Sequence, residues 1–195
     1  MRTKGKREMR KFKKLVLAVA VVLTFATAAA VTSPVTARAQ GLDEQQVMKK
    51  VRKELVTLPY YGVFDNLAYK IEGGTVTLYG QVVQPSTRAD AERRVAKIKG
   101  VERVENQIEV LPLSSVDNSI RVRTYRTLAR TAGLYRYLLG ANPSLHIVVN
   151  RGHLTLEGVV SNEGDRRLAY ITANGIPGVF SVTNNLRTDR EVRTY

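Results

Sequence analysis

The strongest constraint on this chain is that it carries one pattern twice. Thr75–Val83 reads TVTLYGQVV, and Gly152–Val160 reads GHLTLEGVV. At an offset of 78 residues Leu78 falls on Leu156, Gly80 on Gly158 and Val82 on Val160. The register then holds without a gap. Arg88 meets Arg166, Ala91 meets Ala169, Ile98 meets Ile176, Gly100 meets Gly178, Val104 meets Val182 and Asn106 meets Asn184. Two copies of one unit fold by one plan, so the fold has to be worked out once, for about 70 residues, before any chemistry is considered.

The first unit spans residues 43–112. Asp43–Leu58 reads as an amphipathic helix: Val47, Val51, Leu55 and Leu58 recur at three and four residues, while Lys49, Lys50, Arg52 and Lys53 lie elsewhere on the wheel. Asp43 and Glu44 suit the positive end of its dipole, and Pro59 stops it. Tyr60–Asn66 reads as a loop. Leu67–Ile71 and Thr75–Val83 read as strands joined by Gly73-Gly74, a turn that needs the positive φ angles glycine accepts. That turn pairs Glu72 with Thr75, Ile71 with Val76 and Tyr69 with Leu78. It places Tyr69, Ile71, Val76 and Leu78 on one buried face and Lys70, Thr77 and Tyr79 on the other.

Thr87 and Asp90 then suggest a capping box for a helix running to about Lys99, with Ala91, Val95 and Ile98 inward and Gly100 as its stop. Val104–Val110 is a third strand. A helical crossover between neighbouring strands makes that strand parallel to one member of the hairpin. The fold class is therefore α+β: two tandem αββαβ units, each a three-stranded mixed sheet with two helices packed on one face.

Leu111–Val116 reads as a short linker, and the second unit spans 117–188. Its first helix, about Asn118–Thr131, carries Ile120, Val122, Tyr125, Leu128 and Ala129. Gly133–Ser144 is longer or looser than its counterpart. Leu145–Val149 and His153–Val160 make the second hairpin around Arg151-Gly152. Asp165–Asn174 is the crossover helix, Val179–Leu186 the last strand and 189–195 a polar tail.

Ahead of both units, Met1–Lys14 is strongly basic, Leu15–Ala30 is apolar and Ala37-Arg38-Ala39 offers an Ala-x-Ala cleavage pattern. That order is the grammar of a secretory signal over 1–39, cut after Ala39, or of an uncleaved anchor. The expected location is periplasmic or secreted, with peripheral membrane association open. The formal charge is +14, but 1–39 holds 9 of the 31 Lys+Arg and 1 of the 17 Asp+Glu, leaving 22 basic against 16 acidic side chains. The chain has no cysteine, which removes disulfide and thiolate chemistry.

The pattern xVTLxGxV, a helix, then GVxxVxNxI or GVxxVxNxL resembles the BON domain (bacterial OsmY and nodulation). Here it reads TVTLYGQV with GVERVENQI, and HLTLEGVV with GVFSVTNNL. The resemblance covers both units. It implies a periplasmic or outer-membrane-associated protein without enzymatic activity, tied to envelope integrity or osmotic stress protection and, in some members, to anionic phospholipid. It brings no catalytic, cofactor-binding or metal-binding motif. The family's glycines match Gly80, Gly100, Gly158 and Gly178, with a structural role.

Among residues that could carry chemistry, His146 faces Glu157 across the second hairpin. An imidazole beside a carboxylate suits a proton device or half a metal site, but an exposed cross-strand pair is the favoured reading, because the first unit has Ala68 and Tyr79 at these positions. No catalytic signature of a nucleophile elbow, phosphate-binding loop or zinc helix is present. Asn106 and Asn184 recur inside apolar strands, and each is expected to satisfy backbone groups where the helix-to-strand loop packs.

Charge is the more informative signal. Asp43–Pro112 has 11 basic and 10 acidic side chains, whereas Leu113–Thr188 has 9 and 4, and all nine are arginine. Arg123, Arg126 and Arg130 follow helical spacing, and Tyr135 and Tyr137 flank Arg136. Arginine grips phosphate with two prongs and tyrosine suits a headgroup boundary. The expected partner is an anionic phospholipid surface; a solvated basic face is the plain alternative, and a periplasmic protein-interaction or scaffolding module the rival class. Nucleic acid is not expected of an exported chain, and the oligomeric state is open.

Overall fold

The computed structural model describes residues 34–193. The basic run, the apolar core at Leu15–Ala30 and the last two residues lie outside the described residues. Helix α1 spans Pro34–Val56, so it starts nine residues before the expected Asp43. Pro34 suits a first helical turn, where its missing N–H is no loss, and no breaker follows until Gly41. Its first turn holds no acidic residue, so Asp43 and Glu44 fall mid-helix and do not answer the dipole. The helix ends at Val56, and Thr57 Oγ1 closes it by donating to Lys53 O at 2.8 Å.

Strands β1 (Asn66–Glu72) and β2 (Thr75–Val82) pair antiparallel in the expected register, with Tyr69 opposite Leu78 and Ile71 opposite Val76. Gly73 and Gly74 have φ of 52° and 80°, the two left-handed residues of a tight hairpin. Helix α2 (Pro85–Val95) crosses over to β3 (Arg103–Val110), which runs parallel to β2.

The capping box is not formed. Gln84 occupies the cap without a side-chain bond, Pro85 opens the helix, and Thr87 turns inward, fully buried with its hydroxyl unpartnered. Asp90 pairs with Arg93 instead. Proline stands in the first turn, so the backbone itself sets the helix start and Thr87 is free to pack. Val47, Val51, Leu55 and Leu58 close over Val76, Leu78, Val82, Ala91, Val95 and Ile108 as one core.

The second unit repeats this order. Helix α3 (Ser115–Arg130) starts at a Ser114 cap whose Oγ accepts from Asp117 N at 3.1 Å. β4 (Leu145–Asn150) and β5 (His153–Val160) form the hairpin, α4 (Glu163–Asn174) crosses over, and β6 (Ser181–Thr188) lies parallel to β5. The connection 133–144 is not loose. A 3-10 turn at Tyr135–Leu138 inserts Leu134, Tyr137 and Leu138 into the second core. The tail is not structureless either: Asp189–Arg193 forms a short helix, α5. Thr188 and Glu191 cap it reciprocally, Thr188 N donating to Glu191 Oε2 at 2.6 Å and Glu191 N to Thr188 Oγ1 at 3.3 Å.

The duplication is most visible at two details. At Gly80, with φ of 116°, an added Cβ would stand 2.1 Å from Asn66 O; at Gly158, with φ of 114°, 2.0 Å from Ser144 O. Asn106 Nδ2 donates to Arg88 O and Asn184 Nδ2 to Arg166 O, each at 3.1 Å. Their Oδ1 atoms accept from Ile108 N and Leu186 N. The asparagines thus tie the last strand to the crossover helix itself, rather than to the loop after it.

Candidate functional site

Helix α3 divides its residues sharply. Asp117, Ile120, Arg121, Thr124 and Leu128 are buried. Arg123, Arg126 and Arg130 are exposed, and their spacing of three and four residues sets them on one side of the helix. With Asn118, Ser119 and Thr127 they line a groove of about 420 Å³. The Arg123 guanidinium donates to Pro177 O, which steadies it against the second crossover. None of the three has a carboxylate partner among the described residues.

The rest of the expected phospholipid-facing set separates. Tyr135 is exposed. Arg136 is ion-paired to Asp165 at 2.6 Å and donates to Tyr137 Oη at 2.8 Å. Tyr137 is only 6% exposed; its hydroxyl donates to Asp165 Oδ2 at 2.5 Å and accepts from Ser161 N at 3.0 Å. The Tyr137 hydroxyl first, and the Arg136 guanidinium after it, hold the Asp165 carboxyl below the usual range. Tyr137 is therefore a core residue and not a headgroup residue, because the 3-10 turn rotates it inward.

Arg121 also leaves the basic surface. It is 3% exposed, its guanidinium donates to Val149 O at 2.6 Å, and its Nε is unpartnered. Burial pulls its pKa down, and the nearby carboxylates of Asp117 and Asp65 oppose that. Asp117 accepts from Arg151 N at 2.9 Å and Gly152 N at 2.8 Å, gripping the second hairpin turn. Asp65 accepts from Val83 N at 2.7 Å and Gly62 N at 3.0 Å; burial raises its pKa against those bonds. The buried guanidinium thus feels a carboxylate from each unit.

Asn150 Nδ2 donates to Glu109 Oε1 at 3.2 Å across the units, and the loop before β1 makes further contacts between them. Val63 O accepts from Ile147 N at 2.7 Å along the outer edge of β4. Phe64 meets Tyr125 edge-on at 6.3 Å, and Val63 and Phe64 pack on the second core. Sequence reasoning missed this role. The available signal was composition, since Tyr60–Phe64 has three aromatics and a valine where a solvated loop would be polar. Between this loop and α3 opens a cleft of about 540 Å³ walled by Tyr61, Phe64, Val122, Tyr125 and Leu138, with Arg126 completing it. Arg126 and Val122 belong to both the cleft and the arginine groove.

The model of the BON domain matches residues 43–112 and 117–190. The chain belongs to the BON domain family. No curated protein matches it. Two solved structures are similar over much of its length, both of CdsD, a structural protein of the type III secretion system of Chlamydia trachomatis. One covers 76% of this chain and 96% of its own at 11% identity and a TM-score of 0.27; the other, its C-terminal domain, covers 73% and 96% at the same identity and TM-score. Scores that low carry no argument about this protein.

Within the second BON domain, His146 and Glu157 hold the expected register but do not form an exposed pair. His146 is 8% exposed, its ring 5.6 Å from Tyr61, and its Nδ1 lies 3.3 Å from Gly62 O. A carbonyl only accepts, so Nδ1 carries the proton. Burial lowers the His146 pKa below 6.5. Glu157 accepts instead from Asn185 Nδ2 at 2.7 Å. The imidazole is spent on joining the two BON domains. Gly80, Gly158, Asn106 and Asn184 are structural in the sense given above, and Gly100 and Gly178 hold φ of 99° and 88° after the crossover helices.

Proposed function

We propose that this BON protein is exported to the cell envelope and acts there as a non-catalytic binding module, its second domain resting on anionic phospholipid headgroups. The observation that carries the reading is the row Arg123, Arg126 and Arg130: exposed, on one helix side, and without a carboxylate partner among the described residues. Asn118 in the same groove adds a neutral amide donor for phosphate oxygens. Each basic group near an anionic surface is worth about 1 kcal/mol, so the row supplies about 3 kcal/mol, roughly a hundredfold in partition. The basic segment Met1–Lys14 and the apolar Leu15–Ala30 support export, as does the family's association with envelope and osmotic stress proteins. No helix among the described residues is long and apolar enough to cross a membrane.

Co-sedimentation with vesicles of phosphatidylcholine, with and without phosphatidylglycerol, tests the reading. The full chain is expected to pellet with the anionic vesicles, and Arg123→Gln, Arg126→Gln and Arg130→Gln combined to lose most of that gain. Equal pelleting of both proteins on both vesicles defeats it. A scaffolding role is the second reading, favoured by β3 and β6, each of which pairs on one side only and so leaves an edge for a partner strand. Crosslinking of a defined envelope protein that survives the triple substitution would decide for it.

A further inference from the structure

The arginine groove and the apolar cleft are neighbours with shared walls, and their chemistries are complementary parts of one ligand. The groove presents Arg126 with Arg123 and Arg130 alongside. The cleft presents Tyr61, Phe64, Val122, Tyr125 and Leu138, and its volume of about 540 Å³ lies within the roughly 300–1,000 Å³ of ligand clefts. A purely surface-seeking domain needs only the first. A lined apolar cleft whose one charged wall residue is an unpaired arginine calls for an amphiphile with an anionic head.

We infer that the cleft between the 61–64 loop and α3 takes a single acyl chain of a monoacyl phospholipid, with the phosphate held at Arg126 beside Arg123 and Arg130. This deepens the headgroup reading and rests on it. Phosphate is the head that fits: Arg126 supplies a two-pronged donor, and the Asn118 amide lines the same groove to serve a third oxygen. The chain lies on Tyr125 and Phe64, whose edge-to-face contact builds one wall. The cleft is made by both BON domains together, since Tyr61, Gly62, Val63 and Phe64 come from the first and the remainder from the second.

The test is calorimetric titration of the full chain with lauroyl lysophosphatidylglycerol below its micelle-forming concentration. Saturable one-to-one binding is expected. Ala141, exposed on the cleft wall, offers a way to fill the space: Ala141→Trp should weaken binding about tenfold or more, as should Arg126→Gln, which removes a charge-assisted bond. Glycerol 3-phosphate, which has the head without the chain, should bind far more weakly, and lauroyl lysophosphatidylcholine should bind less well than the anionic form. Unchanged affinity in a folded Ala141→Trp, or equal binding of glycerol 3-phosphate, overturns the inference.

Vesicle pelleting by Ala141→Trp separates the two readings. The arginines are intact in it, so pelleting that persists while lysolipid binding is lost supports the cleft. If Ala141→Trp fails to fold, the wild-type chain decides by proton NMR. Nuclear Overhauser contacts from the lauroyl methylenes to the Tyr125 ring support the cleft, and their absence at saturation overturns it.

Discussion

Replacing Gly158 with alanine probes the backbone contact on which both domains are built. Gly158 lies in β5 opposite Leu145, at φ of 114°. A Cβ there meets Ser144 O at 2.0 Å, Ser144 C at 3.0 Å and Leu145 Cα at 3.3 Å. All three are backbone, so no side chain can swing aside. Two costs add. The positive φ is worth about 1–3 kcal/mol for a residue with a Cβ. To clear the oxygen, the start of β4 must retreat by about 1 Å, which breaks the 2.7 Å bond from Val159 N to Ser144 O, worth about 1 kcal/mol. It also disturbs fully buried Leu145. The sum is about 2–4 kcal/mol, or roughly a 10 °C fall in Tm for a chain of this size.

The assay is urea unfolding followed by circular dichroism, with Gly73→Ala as the control. Gly73 has φ of 52° and nothing within 4 Å of the added Cβ, so it isolates the conformational cost of about 1–2 kcal/mol. Gly80→Ala, at 2.1 Å from Asn66 O, should match Gly158→Ala. If Gly158→Ala costs no more than Gly73→Ala, the close approach is not what demands glycine and the argument fails.

Two further outcomes follow from the contacts between the domains. Arg121→Met should cost about 1–3 kcal/mol, because it leaves the buried Val149 carbonyl without its donor and removes the positive charge felt by the buried carboxylates of Asp65 and Asp117; an unchanged urea midpoint refutes the role given to this guanidinium. His146 is held neutral in the fold, with its pKa lowered by burial. The unfolded chain therefore binds more protons, and the stability His146 contributes is present above about pH 6.5 and is lost as pH falls through its lower folded value. Stability measured from pH 7.5 down to 5 should fall more steeply in the wild type than in His146→Gln, and parallel curves would sink the assignment.

The sheets and their hairpin registers were legible because periodicity and turn chemistry act locally: alternation along Thr75–Val82 and two turn residues suffice to set which side chains face inward. The crossover helices were legible for the same reason, through Ala91 and Val95 and their counterparts Ala169 and Ala173. What was not legible depended on the other domain or on the chain's third dimension. Arg121, on a helix rich in exposed arginine, reads as surface from its own neighbours. It is buried with its guanidinium on Val149 O, 28 residues later, a partner that its own helix does not reveal. His146 reads as paired to Glu157 because strand register says so, yet the 61–65 loop covers its edge of the sheet and claims the ring. Tyr137 reads as a partner for Arg136 at the surface, and a 3-10 turn, which has no strong periodic signature, carries it inside.

The two hairpin turns show how the copies came to differ without changing the fold. In the first, both turn positions are glycine, and their φ of 52° and 80° need no support. In the second, Arg151 holds φ of 51°, an angle unfavourable to a residue with a Cβ. The compensation is on the facing helix: the Asp117 carboxylate accepts from both Arg151 N and Gly152 N, satisfying two donors that a tight turn leaves over. That bond commits Asp117 to the interior, and with it the adjoining turn of α3, where Arg121 follows one helical turn later and donates to Val149 O of the same hairpin. The same commitment fixes which side of α3 remains outside. Arg123, Arg126 and Arg130 face outward because Asp117, Arg121, Thr124 and Leu128 have been drawn in. The divergence that lets an arginine stand in the second turn and the divergence that leaves a row of exposed arginines on the helix are therefore consequences of one anchoring, and the symmetry between the domains is broken at the helix where the candidate site lies.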